Sequence, residues 1–274
     1  MGRVNNKKII FTDLSANESI SVTGTSCALN CAHCNKKFLK HMKRLEEKIN
    51  SSTTSILVSG GCDKEGRVPI LNFPKQIKKL KEKYKINAHA GLVSDKEAKK
   101  IAPMVDAISF DFTTELNIIK KVYKLNKKIS DYYHSMSALK NVTEVFPHLT
   151  IGLWQGKITW EYKAVKILVK EFKFKDLVFN IFIPAVGTEM ENQKPPSISA
   201  VKKYFLFLQK NYPNITKRLG CMRPGGNYRN TIDKIAMKTG FKVITKPTRI
   251  IKEFAKKQNY QISLQHKCCI FCND

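Results

Sequence analysis

The sequence has no long hydrophobic run: nowhere does it offer the roughly 18–20 uninterrupted apolar residues of a membrane span. The first residues, Met1 to Lys8, are polar and lead into no such segment, so a leader or membrane anchor is not expected. A cytoplasmic protein in a reducing compartment is. Acidic residues are also scarce, 22 Asp and Glu against 49 Lys and Arg, which leaves a net charge of +27. A field of that sign attracts RNA, acidic proteins or anionic cofactors. No arginine-rich tract and no aromatic RNP motif accompany it, which argues against nucleic acid. Much of the charge lies on solvated helix faces such as 75–83, where lysines surround an apolar stripe. Internal repeats, low-complexity tracts and obvious linkers are missing as well. With 274 residues and 42% of them hydrophobic, the chain can bury one large core.

Short β-branched runs alternate with longer amphipathic segments, the pattern of parallel strands joined by crossover helices. The strand runs are 19–23, 55–59, 86–89, 107–112, 148–153, 177–183, 218–222 and 242–245. Helices are expected over 36–49, 73–84, 95–102, 116–124, 135–145, 161–172, 197–211, 228–239 and 248–258, several with good caps such as Ser94 followed by Glu97. Eight strands suit an α/β fold of the (β/α) barrel type, partial or complete; a doubly wound open sheet is the alternative. The barrel would span 1–258, and residues 259–274 would form a cysteine-rich tail folding back on it, across its mouth.

Eight cysteines in a reducing compartment read as metal ligands or catalytic thiols before disulfides. Cys27, Cys31 and Cys34, spaced C-x3-C-x2-C, follow the first strand run in a glycine-containing loop. Three such thiolates can hold a [4Fe–4S] cluster and leave one iron open to another ligand. The C-x2-C spacing also occurs in zinc sites, which normally bring a second ligand pair. Cys221, Cys268, Cys269 and Cys272 form a second candidate set, for an auxiliary [4Fe–4S] cluster if the tail reaches Cys221, or for a zinc staple. Adjacent Cys268 and Cys269 would strain to serve one metal, so one of them is expected to be spare or an exchangeable ligand. Cys62 stands apart. Asp111 would point into the barrel if Phe110 and Phe112 pack outward, and His89 and His148 lie at strand ends.

Taken with Ser21-Val-Thr-Gly24, Ser59-Gly-Gly61, Gly66-Arg-Val-Pro69, His89-Ala-Gly-Leu-Val93 and Cys221-Met-Arg-Pro224, the three-cysteine loop resembles the radical S-adenosylmethionine (SAM) superfamily. Within it, the chain is most similar to the biotin-synthase-like branch that includes subunits of archaeal-type two-component lipoyl synthases. The resemblance implies that the open iron chelates SAM and that an electron, supplied by a donor protein, cleaves it to a 5′-deoxyadenosyl radical. It implies Gly60, Gly61 and Asp63 around the methionine end of SAM, with Cys62 where the superfamily has an acid. It places Glu161 in a region supporting adenine, Gly187 in a turn near SAM and Asp111 near ribose hydroxyls or substrate. His33 takes the place of a common aromatic residue, and Arg223 becomes a partner for a carboxylate or for cluster charge.

For this branch the auxiliary cluster implies sulfur insertion, here into an octanoyl chain carried by an acidic lipoyl carrier protein. A second radical SAM subunit would share the work, and the basic surface would steer the carrier. Single-chain lipoyl synthases have an N-terminal cysteine motif, and this chain has no cysteine before Cys27. Other outcomes are a radical SAM enzyme for a small molecule or for tRNA thiolation, and a zinc-binding protein that is no enzyme.

Overall fold

The computed structural model describes residues 7–273. Eleven strands run along the chain: β1 Lys8–Thr12, β2 Asn17–Ser21, β3 Lys43–Arg44, β4 Ser55–Ser59, β5 Lys85–Ala88, β6 Ala107–Asp111, β7 Glu144–Ile151, β8 Asp176–Ile181, β9 Thr216–Leu219, β10 Val243–Thr245 and β11 Gln261–Gln265. Seven α-helices accompany them: α1 Pro74–Lys81, α2 Asp95–Ile101, α3 Ile129–Lys140, α4 Glu161–Lys170, α5 Ile198–Asn211, α6 Gly226–Lys238 and α7 Arg249–Lys257. The strands form one sheet, ordered β11-β1-β10-β9-β8-β7-β6-β5-β4-β2-β3, and every pairing is parallel.

The sheet curls into a half-barrel and stays open, with β11 and β3 at its edges. Alternation along each strand divides the two faces. Ile9 and Phe11, Ile56 and Val58, Ile108 and Phe110 pack outward under the helices in the main core. Ile10, Ala107, Phe146, Val178 and Val243 face inward at the floor of the lumen.

Four expectations are corrected. The sheet has eleven strands, because β1, β3 and β11 extend the eight that the sequence suggests. Residues 36–49 make no α-helix. A 3-10 turn, Lys37–His41, gives way to β3, which pairs with Ile20 and Ser21, and Lys43 Nζ is held by Glu18 Oε1 at 2.8 Å. The helix expected over 135–145 lies earlier, as α3, because Lys128 and Asp131 cap it at Ile129 and β7 claims the chain from Glu144. Over 116–124 the helix shrinks to a π-turn, Ile118–Val122, that buries Ile118, Ile119 and Val122.

After β11 the tail passes under the sheet. Ala16 N donates to His266 O at 2.8 Å, and Cys268 N donates to Ser55 Oγ at 3.4 Å, at the first residue of β4. Cys269, Ile270 and Cys272 then pack onto the apolar floor. The tail therefore closes the N-terminal end of the strands, opposite the mouth it was expected to cross.

Candidate active site

β2 delivers the chain at the mouth of the sheet into the loop carrying Cys27, Cys31 and Cys34. Three neighbouring loops hold it in place. Gly61 N donates to Thr23 Oγ1 at 2.7 Å, and Ala28 N to Cys62 O at 2.8 Å, which ties it to the turn after β4. Ala32 N donates to Val122 O of the π-turn at 2.7 Å, and Met190 N, from the loop after β8, donates to Ala32 O at 3.2 Å. A Cβ at Gly61 would lie 2.0 Å from Ser26 O and 2.5 Å from Cys27 Cβ, so this close approach requires glycine.

The sulfurs of Cys31 and Cys34 and a nitrogen of His33 lie within 4.8 Å of one another. Cys27 Sγ accepts from the Cys62 N–H at 3.3 Å. A hydrogen bond from Cys31 holds the Cys34 thiol down to about 7, while the same bond, burial and the fields of Cys34, Cys62 and Cys27 drive Cys31 strongly upward. Burial, then Cys27, Asp63, Asp111 and Cys34, push Cys62 up to about 12. The Cys31 and Cys62 thiols resist ionisation unless a cation arrives. Soft thiolate donors at this density fit an iron–sulfur centre.

Beside Cys27 a cleft of about 370 Å³ opens between Thr23, Gly61, Cys62 and Asp63. Asp63 lines it as the clasp of its own turn: Oδ1 accepts from Glu65 N at 2.8 Å and Arg67 N at 3.0 Å, and Oδ2 from Arg67 Nε at 2.8 Å. Slight burial opposes its charge, but Arg67 outweighs it and keeps the carboxyl below its usual range. Gly60 packs against Thr23 and Val68 one residue earlier.

Deeper in the lumen, Asp111 points inward, with Phe110 and Phe112 packed outward on Tyr132 and Tyr133. Its carboxylate lies 3.6 Å from His89 Nδ1 and is 51% exposed to the open interior. Desolvation works against its charge, yet His89, His148 and His33 hold it below the usual value. His148 Nδ1 donates to Phe146 O at 2.9 Å, which leaves Nε2 as an acceptor. Burial first, then His89, lowers His148 to about 4, so it is neutral. His33, also lowered to about 4 by burial, stands edge-on to Tyr123 with Nδ1 buried and unpartnered among the described residues. Below these, Ser109 Oγ donates to Asn87 Oδ1 at 3.1 Å, and Asn180 occupies space left by Gly220, whose Cβ would sit 2.1 Å from Asn180 Oδ1.

The second cysteine set comes from two directions, and among the described residues no three of its sulfurs lie within 4.8 Å of one another. Cys221 follows β9 and is exposed to the lumen, while Cys268 and Cys269 rise from the floor. Asn87 Nδ2 donates to Cys268 Sγ at 3.7 Å. The adjacent thiols of Cys268 and Cys269 share a hydrogen bond that lowers Cys268 and, with burial, raises Cys269. Cys221 acts through space on Cys268, and Cys269 on Cys221. Cys272 lies aside, near Thr12, with its thiol pushed up to about 11 by burial.

The remaining candidates sit elsewhere. Glu161 is fully buried, accepts from Gly152 N and Thr159 N at 2.7 Å each, and braces that loop from inside. Gly187, at φ 73°, meets the cysteine loop from outside, its carbonyl accepting from Asn35 Nδ2 at 3.2 Å. Arg223 is no partner for a cluster: its guanidinium is fully buried and committed to Asp233. Sequence reasoning missed Arg218, whose Nη1 donates to Cys269 O at 2.8 Å and Cys272 O at 2.7 Å while Asp176 holds its other edge. An arginine inside an apolar strand run was the available signal.

No family model matches the chain, and no curated protein matches it either. Solved structures do match in fold. Methylornithine synthase (PylB) is 13% identical with a TM-score of 0.61, over 89% of this chain and 73% of that one. The FeFe-hydrogenase maturase HydG from Carboxydothermus hydrogenoformans is 14% identical with a TM-score of 0.67, over 94% of this chain and 68% of its own. Streptococcus suis SuiB, solved bound to S-adenosylmethionine, is 12% identical with a TM-score of 0.53 over 80% of this chain; the match spans 52% of SuiB. The chain shares the partial (β/α) barrel of these structures.

Proposed function

We propose that the chain is a radical SAM enzyme in which Cys27, Cys31 and Cys34 hold a SAM-binding [4Fe–4S] cluster. The observation that carries this is the junction of the three-thiol loop with the Gly60–Gly61 turn and its cleft at the mouth of a radical SAM half-barrel. When bound, such a cluster supplies the electron that cleaves SAM to a 5′-deoxyadenosyl radical. The chain's own residues fix the loop at three points, keep the cleft free of side chains at Gly61, and direct Asp111 and His89 into the lumen where hydroxyl groups can be bound. An electron donor protein is required. No helix among the described residues is long and apolar enough to cross a membrane. Anaerobically reconstituted protein should form 5′-deoxyadenosine with a reductant, and replacing all three cysteines should abolish it; undiminished product would overturn the assignment.

The finer reading is sulfur insertion, with Cys221 and the tail cysteines holding an auxiliary [4Fe–4S] cluster that serves as sulfur source. Its support is the placement of Cys268 and Cys269 on the floor of the lumen, with Asn87 Nδ2 donating to Cys268 Sγ at 3.7 Å, on the sheet face that Cys221 follows. The sequence resemblance extends this to the octanoyl chain of an acidic lipoyl carrier, worked on together with a second radical SAM subunit. An octanoylated carrier peptide should gain the mass of sulfur when both subunits are present, and no gain would remove the lipoyl reading. A small polar substrate is the second reading, favoured by the lumen's polar lining at Asn87, Ser109, His148 and Asn180.

A further inference from the structure

Cys62 is the one thiol at the mouth that the proposed reaction leaves unused. It occupies the wall of the cleft beside Cys27, in the turn that Gly61 presses against the cysteine loop. The contact is reciprocal: Cys62 N donates to Cys27 Sγ at 3.3 Å, and Cys62 O accepts from Ala28 N at 2.8 Å. Asp63, the neighbouring acid, is spent on Glu65 and Arg67. The wall of the cleft therefore offers a soft sulfur donor where an incoming amino acid moiety would need a free carboxylate.

A cubane held by three thiols has one iron with an exchangeable ligand, and a half-buried thiol beside it is a better donor for iron than water. We infer that Cys62 is that fourth ligand in the SAM-free enzyme, giving a four-thiolate cluster from which SAM must displace one sulfur. In the exchange the Fe–S bond to Cys62 would break, the ammonium group of SAM would give up a proton as its nitrogen and a carboxylate oxygen bind the iron, and the released thiolate would take up that one proton, directly or through water. No electron moves. Cys62 thus sets a threshold: the open site exists only in the fraction of molecules where the thiol has let go, and the apparent affinity for SAM is reduced by that fraction.

The inference rests on the three-cysteine cluster of the proposed function, and the experiment separates the two. Reconstituted wild-type protein, Cys62→Ala and Cys62→Ser are reduced anaerobically, and electron paramagnetic resonance spectra are recorded before and after SAM. Before SAM the wild-type signal should differ from that of both variants; after SAM the three should coincide. SAM should bind the variants on the order of tenfold more tightly, the penalty of a competent fraction near one tenth being removed. Identical spectra before SAM, with equal SAM affinities, would overturn the role of Cys62 while a SAM-dependent change in all three keeps the cluster. A wild-type signal that does not respond to SAM, or one that survives loss of Cys27, Cys31 and Cys34, would sink both.

Discussion

Arg223 holds Asp233 with two parallel hydrogen bonds, Nε to Oδ1 at 2.7 Å and Nη2 to Oδ2 at 2.8 Å, and neither side chain has any exposed surface. Nη1 and Nη2 also donate to Gly220 O and Thr245 O, so the pair ties β9, α6 and β10 together. Desolvation raises Asp233 despite Arg223. Removing one member strands the other charge in the core. Arg223→Ala or Asp233→Ala should lower the unfolding free energy by about 3–5 kcal/mol, measured by denaturant titration. A loss under about 1 kcal/mol would show that the pair is not the structural clasp described.

Arg218 should govern the tail. It supplies hydrogen bonds to two carbonyls of the Cys269–Cys272 segment and stacks 5.5 Å above the Phe146 ring. Arg218→Met keeps the apolar stem and deletes the donors. Hydrogen exchange of residues 266–273 should accelerate at least tenfold, about 1.4 kcal/mol of local opening, while β4–β7 stay protected. Unchanged exchange in the tail would mean that the apolar floor holds it alone.

The two cysteine sets differ in how much of them the sequence reveals. C-x3-C-x2-C lies within one loop, so its geometry is local and its spacing suffices. The tail cysteines reach the floor of the lumen only because β11 pairs with β1 and the tail turns beneath β4, long-range events with no local signal. The side of the barrel was misjudged for the same reason. Local charge also misled: Arg223 stands beside Cys221 in sequence, but Asp233, ten residues on and one helix away, claims it. Strand runs 55–59 and 242–245 were legible from β-branched residues, whereas 36–49 looked helical because edge pairing at Lys43 and Arg44 leaves no mark on composition.

Iron content should distinguish the tail cysteines. Cys221→Ala and Cys268→Ala should each lower bound iron from about eight to about four per chain, the count for one [4Fe–4S] cluster. Cys272, packed aside by Thr12, should be replaceable by Ala with little loss. Four irons in the unaltered protein would remove the auxiliary cluster; equal loss from Cys272→Ala would assign it as a ligand.

Gly61→Ala should disable SAM cleavage without unfolding the barrel. The added methyl would stand 2.0 Å from a backbone oxygen and 2.5 Å from Cys27 Cβ, and neither is a flexible side-chain end. The loop must shift, and the rate of 5′-deoxyadenosine formation should fall at least a hundredfold, as geometric misplacement of this size does elsewhere. The circular dichroism spectrum should be unaltered. Activity within threefold of wild type would show that the turn and the loop do not act as one unit.

Glu161 should give stability a distinctive pH dependence. Burial raises its carboxyl from 4.5 to about 7, only partly offset by hydrogen bonds from Gly152 and Thr159. Between pH 4.5 and about 7 the folded chain therefore binds more protons at this site than the unfolded one, and stability falls as pH rises. The contribution is fully present below pH 4.5 and lost above about 7, a change of roughly 3 kcal/mol at most. Urea titrations at half-unit intervals should show that decline, superimposed on other groups. Glu161→Gln carries no proton equilibrium, so the difference between wild type and variant isolates the slope. It should run downward from pH 4.5 to 7 and flatten beyond, and a difference that stays constant or rises would mean that the carboxylate is ionised in the fold with its two N–H donors outweighing burial.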